Sequence, residues 1–205
     1  TKSATRTYAF PLGGLILSQK VRILNYKGVR TMVLCYFEVY RTAIKGNISN
    51  EAFYGCRGIT DATISNKGNI GESAFYGCTA LKTANVENKG VISSEAFRGC
   101  TALETLSLGE NVTSIGGSAF RGCSKLLAVT IPNKTTSLGS YSFAGCTSMK
   151  TLKIGDGIVT IPEYAFNGCS SLSSVEWGKS VENIERYSFY GCSALKEITI
   201  PNNVT

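Results

Sequence analysis

Phe53-Tyr54-Gly55-Cys56 returns as Phe75-Tyr76-Gly77-Cys78, Phe97-Arg98-Gly99-Cys100, Phe120-Arg121-Gly122-Cys123, Phe143-Ala144-Gly145-Cys146, Phe166-Asn167-Gly168-Cys169 and Phe189-Tyr190-Gly191-Cys192. Successive cysteines stand 22, 22, 23, 23, 23 and 23 residues apart. Self-similarity at a fixed period of this size is the signature of a solenoid, in which each repeat is one coil stacked on its neighbours.

Outward from the cysteine, the copies share three apolar columns. Three residues on lie Ile59, Leu81, Leu103, Leu126, Met149, Leu172 and Leu195. Three further come Ala62, Ala84, Leu106, Val129, Leu152, Val175 and Ile198, and two beyond those Ile64, Val86, Leu108, Ile131, Ile154, Trp177 and Ile200. The step of two is the strand period, so each coil contributes one short strand with both side chains on one face. Strands that recur in the same direction pair in parallel, about 4.8 Å apart. A turn rich in Pro, Gly and Asn follows, then a fourth column: Ile48, Ile70, Ile92, Ile115, Leu138, Ile161 and Ile184. The small residue before each Phe predicts a short helical or 3₁₀ turn packed on the coil. The Gly after it should take a positive φ at the corner.

One coil cannot stand alone. Burying five large apolar side chains stabilises by about 1.5–3 kcal/mol apiece, whereas ordering the backbone costs about 1–2 kcal/mol for each residue of the coil. Stacked neighbours must supply the rest.

The formal charge of +7 invites a nucleic-acid partner, so its location matters. Residues 1–46 hold eight Lys or Arg and one acid, Glu38, while residues 47–205 hold 13 basic and 13 acidic residues. The excess lies wholly in the N-terminal segment, and a solenoid of zero net charge is a poor generic phosphate binder. There is no histidine, which removes the commonest general base and metal ligand. No Asp/Glu pair stands out as a catalytic dyad either. No cofactor is expected, no metal site and no catalytic residue. The apolar stretch at residues 9–17 is too short for a membrane helix and is broken by Pro11, Gly13 and Gly14.

Two regions follow: a basic segment at 1–46 and a solenoid of about seven repeats at 47–205, whose last repeat stops midway at Thr205. In the first, residues 21–24 and 29–40 are rich in β-branched and aromatic side chains and flank Asn25-Tyr26-Lys27-Gly28. That pattern predicts a β-hairpin, expected to cap the open end of the stack. Cys35 falls outside the repeat register and reads as an ordinary small buried residue.

The seven recurring cysteines read as buried, reduced thiols acting as small hydrophobes. A disulfide framework fits badly, because members of one column share one core position. Zinc lacks both a Cys-x-x-Cys pair and histidine.

The assembled unit reads Ala-Phe-x-Gly-Cys-(Ser/Thr)-x-Leu-x-x-Leu-x-Ile-Pro-x-x-Val-x-x-Ile. Ala119-Phe120-Arg121-Gly122-Cys123-Ser124-Lys125-Leu126 carries it closely, as does the run from Ser188 through Leu195, Ile198 and Pro201 to Thr205. This resembles the BspA-like, or Treponema-type, leucine-rich repeat over residues 47–205. The resemblance implies a mainly β leucine-rich-repeat solenoid with a parallel sheet on its concave side. It also implies a non-enzymatic cell-surface or secreted protein that adheres to host protein or glycan.

Strand alternation turns Thr83, Asn85, Thr105, Ser107, Thr130, Thr151 and Lys153 outward from the sheet, a polar face able to hydrogen-bond a partner. A second candidate is the variable position of Phe-x-Gly, where Tyr54, Tyr76, Arg98 and Arg121 follow one another in successive coils. The alternative to a binding module is a structural array that self-associates end to end. Asn47-Ile48-Ser49, Asn111-Val112-Thr113, Asn133-Lys134-Thr135 and Asn203-Val204-Thr205 match the N-glycosylation sequon; three of them belong to the repeat's own turn, so chance from the consensus is the better explanation.

Overall fold

The computed structural model describes residues 47–65, 68–87 and 90–204 in full, and the backbone of three strands before them. Those three are β1 (Ala4–Tyr8), β2 (Gln19–Ile23) and β3 (Val33–Phe37), joined as one antiparallel sheet in the order β1-β2-β3. The expected hairpin is the β2–β3 pair, with Val21 opposite Cys35. The sheet has a third strand, β1, that the hairpin pattern did not call for. The turn at 25–28 and the surroundings of Cys35 lie outside the described residues.

From Asn47 onward the chain winds into stacked coils. The main sheet is built from β4 (Asp61–Ile64), β5 (Thr83–Val86), β7 (Thr105–Leu108), β9 (Ala128–Thr130), β11 (Thr151–Lys153) and β13 (Ser174–Glu176). Pairing is parallel and in register with the repeat: Ala62, Ala84 and Leu106 align, as do Val129, Leu152 and Val175. A second wall carries the fourth column in two-residue strands, β6 (Val91–Ile92), β8 (Ser114–Ile115), β10 (Ser137–Leu138), β12 (Thr160–Ile161) and β14 (Asn183–Ile184). Isolated bridges Ile48–Ile70–Ile92 extend that wall toward the N-terminus.

The third wall is Phe-x-Gly-Cys. Phe53, Phe75, Phe97, Phe120, Phe143, Phe166 and Phe189 form a continuous stack with ring centroids 4.8–5.7 Å apart. Inner rings such as Phe97 and Phe120 are fully buried. No helix forms among the described residues, so the expected helical turn is corrected. The Gly takes φ of +67° to +77°, as its column required, and the residue two before each Phe also has a positive φ. Glu51, Ser73, Glu95, Ser118, Tyr141, Tyr164 and Tyr187 sit at φ 53–61°. A left-handed residue ends a right-handed helical run, at roughly 1–2 kcal/mol each for a non-Gly side chain. Neighbouring coils offset that strain by taking alternate N–H groups. Phe97 N–H donates to Ala119 O and Gly99 N–H to Arg121 O, while Arg98 N–H turns back to Glu95 O.

The change of period falls in the span between the main sheet and the second wall. Six residues carry the chain from Ile64 to Ile70 and from Val86 to Ile92, and seven from Leu108 to Ile115 and in each later coil. The longer span turns a further side chain inward: Val112, Thr135, Ile158 and Val181 are all buried. The main sheet also parts here, into β4-β5-β7 and β9-β11-β13.

Candidate functional site

Two surfaces carry the variable residues. On the sheet face, alternation does what the period demands: β4 buries Ala62 and Ile64 and exposes Asp61 and Thr63. Thr105, Ser107, Thr130, Thr151 and Lys153 are exposed, and Thr83 and Asn85 are half-buried. Some of these groups are already engaged. Asn85 Nδ2 donates to Glu87 at 3.0 Å, and Lys153 Nζ donates to Glu176, whose carboxylate raises the lysine's pKa first by that hydrogen bond and then by its charge. Among the described residues the hydroxyls of Thr105, Ser107, Thr130 and Thr151 find no hydrogen-bond partner. Leu127 is exposed where β9 begins, beside exposed Ala128, and Lys125 and Glu104 form an ion pair at 3.7 Å nearby. The centre of this face is therefore uncommitted hydroxyls around a small apolar spot.

The Phe-x-Gly-Cys wall is arranged differently from the row expected of it. Tyr54 and Tyr76 stack at 4.8 Å with planes 3° apart, and the Arg98 guanidinium lies 5.6 Å from the Tyr76 ring centre. Arg98 is also held by Glu95 at 2.6 Å. The row then changes column, because Ala144 is buried and offers nothing. Arg121 lies over Tyr141 at 5.1 Å, and Tyr141, Tyr164 and Tyr187 stack at 4.7 and 5.0 Å. Arg186 covers Tyr187 and pairs with Glu163. Burial within this stack raises the Tyr164 phenol above its usual pKa. The structure thus brings all four predicted strip residues to one wall and adds three tyrosines that the Phe-x-Gly register missed. The signal was available: Tyr141, Tyr164 and Tyr187 recur at 23 residues. Their ring faces are spent on one another and on guanidinium groups.

The seven recurring cysteines form one buried column. Six of the thiols donate to the Phe carbonyl of the preceding coil, from Cys78 to Phe53 O at 3.1 Å through Cys192 to Phe166 O at 3.3 Å. All seven are free and buried. Burial pushes the Cys100 and Cys123 thiols well up and that of Cys146 to about 12. Cys169 is raised first by the adjacent Cys192 thiol and then by burial. Protonated thiols are poor nucleophiles and poor metal ligands. Among the described residues no group of three His, Cys, Asp or Glu is placed to hold a metal, and no helix is long and apolar enough to cross a membrane.

The turn asparagines hold coils together. Asn47 Oδ1 accepts from Asn69 N–H, Asn69 Oδ1 from Val91 N–H, and Asn133 Oδ1 from Asp156 N–H, at 2.8–3.0 Å. The sequons at Asn47 and Asn133 therefore mark inter-coil bonds.

The family described as BspA type leucine rich repeat region matches residues 46–131 and 90–205, in six copies. Among solved structures, a leucine-rich repeat protein of T. pallidum is 27% identical with a TM-score of 0.70, over 74% of this chain and 72% of that one. A leucine-rich repeat protein of Bacteroides ovatus is also 27% identical, with a TM-score of 0.73, over 96% of this chain and 54% of that one. No curated protein matches the chain.

Proposed function

The chain belongs to the BspA-type leucine-rich repeat family, and from that premise we propose that it is a non-enzymatic binding module, cell-surface or secreted, that adheres to a host protein or glycan through its sheet face. The carrying observation is the central stretch of that face. Thr105, Ser107, Thr130 and Thr151 present hydroxyls without a partner among the described residues, around exposed Leu127 and Ala128. A partner that supplies hydrogen bonds and a modest apolar contact fits such a surface, with polar rim and apolar centre. The wall of stacked tyrosines supports this assignment by contrast, since its ring faces and two of its arginines are already engaged. In the same reading residues 1–46 are a capping unit at the other end of the stack.

An array of purified matrix proteins and glycans, probed with the whole chain, tests the proposal. Thr105→Glu with Thr130→Glu should weaken the strongest binder at least about tenfold, by putting two unpaired charges in the contact. Arg98→Glu with Arg121→Glu should leave it unchanged. The reverse pattern would move the site to the tyrosine wall, and an array without any binder would overturn the adhesive reading.

A further inference from the structure

One coil breaks the pattern of the sheet face, and it does so in three ways at the same place. The residue before the strand is Thr60, Lys82, Glu104, Leu127, Lys150 and Ser173 in successive coils, so Leu127 is the one apolar member of a polar column. It lies mid-stack and is 49% exposed. The next column reads Asp61, Thr83, Thr105, Ala128, Thr151 and Ser174, and only Ala128 lacks a hydrogen-bonding side chain. The sheet also parts here, since no ladder joins β7 to β9. Pro132 is the cause. Glu87 N–H donates back to Ile64 O and Gly109 N–H to Val86 O, each at 2.7 Å. The same position in the next coil is Pro132, which has no N–H to give Leu108 O. Where the strands begin, the bond across the junction is Leu127 N–H to Glu104 O at 3.3 Å, against 2.7–3.0 Å for its counterparts in the other coils. The loosened seam reaches the core. Leu106 and Leu108 of β7 are only partly buried, whereas Ala84, Val86, Val129 and Ile131 on either side are 0–2% exposed.

We propose that this seam anchors the sheet-face site, and that the partner is a protein whose extended segment seats one aliphatic side chain against Leu127. The inference rests on the sheet-face reading above and adds the partner class and the residue that selects it. An exposed Leu beside an Ala, over two partly buried leucines, gains from a partner by losing apolar area to it. A glycan has little such area beyond the face of its sugar ring, which stacks on an aromatic side chain. No outward-facing position of β4, β5, β7, β9, β11 or β13 holds an aromatic residue. Thr105, Ser107 and Thr130 flank the seam with hydroxyls that both donate and accept, which matches the N–H and C=O groups of an extended backbone. Glu104 and Lys125 pair with each other at 3.7 Å at its edge, a polar rim beside an apolar centre. Leu127 is thus a specificity-determining residue. A polar or charged residue there, as in each of the other coils, would oppose the aliphatic side chain with a group that needs water.

Selection of a displayed library of random short peptides on the whole chain tests the proposal with a defined probe. The peptides recovered should share a Leu, Ile, Val or Met at one position, set among hydrogen-bonding residues. Leu127→Thr, which copies Thr60 of the first coil, should weaken their binding at least about tenfold, while Leu127→Met should keep it within about threefold. Both variants should melt with the parent, since the side chain is half exposed. Thr105→Glu with Thr130→Glu separates the two claims. Peptides lost with that pair but kept by Leu127→Thr would leave the sheet face in place and overturn the anchor. Peptides insensitive to all these variants, peptides with no shared aliphatic residue, or a library that yields no binder would each overturn the proposal. So would a glycan found on the array whose binding needs the sheet face but survives Leu127→Thr.

Discussion

The first and last coils share one consensus and differ in what surrounds it. Phe53 is 7% exposed and Ile64 1%, while Phe189 is half-buried and Ile200, the counterpart of Ile64, is 45% exposed. The difference teaches that a repeat residue has no fixed energetic worth. It is worth what its neighbouring coils make of it, as expected for a stack held by nearest-neighbour contacts.

The sharpest way to break that comparison is to remove one ring from the ladder at two places. Phe120→Ala, at the fully buried centre, should cost about 3–5 kcal/mol because the cavity cannot collapse between two stacked rings. Phe189→Ala, where the ring is half-buried and stacks on Phe166, should cost less than half as much. Equal losses in denaturant melts would show that position along the stack is irrelevant.

Alkaline pH gives a second, graded comparison. Thiols with raised pKa stay protonated in the folded chain while they ionise in the unfolded one. Their contribution is complete below the unfolded thiol pKa, near about 8.5, and is lost as pH rises through the folded values, which for Cys146 is about 12. Stability should therefore fall from about pH 8.5 upward. Cys146→Ala should flatten the decline, and Cys100→Ala should flatten it likewise, because burial raises both thiols. An alkaline profile that both substitutions leave unchanged would remove the thiol ladder as its cause.

The smallest effect concerns backbone strain. Ser118→Gly should change stability by no more than about 1 kcal/mol, toward stabilisation, since Gly relieves a φ of 55° but adds chain entropy to the unfolded state. Gly122→Ala, the opposite exchange at φ 75°, should destabilise by about 1 kcal/mol. Thermal melts of the two variants check the sign.

The sheet-face candidates were legible because alternation is local: once Ala84 and Val86 point inward, Thr83 and Asn85 must point outward. The tyrosine wall was legible only in part. Tyr54, Tyr76, Arg98 and Arg121 share the Phe-x-Gly position, but the row leaves that position at Ala144 and continues through Tyr141, which the register of one column does not reach.

The sequence by itself determined the period, the four apolar columns, the parallel pairing and the left-handed glycine. Each follows from spacing or from the chemistry of one residue type. Tertiary structure decided the rest. Seven non-glycine residues adopt positive φ, and in six of their seven coils the following coil accepts from alternate N–H groups of that turn; nothing in Glu95 or Tyr164 announces that. The thiols became donors because the preceding coil sets a Phe carbonyl within reach. A side chain's own pattern says where it points, and only its neighbours say what it meets.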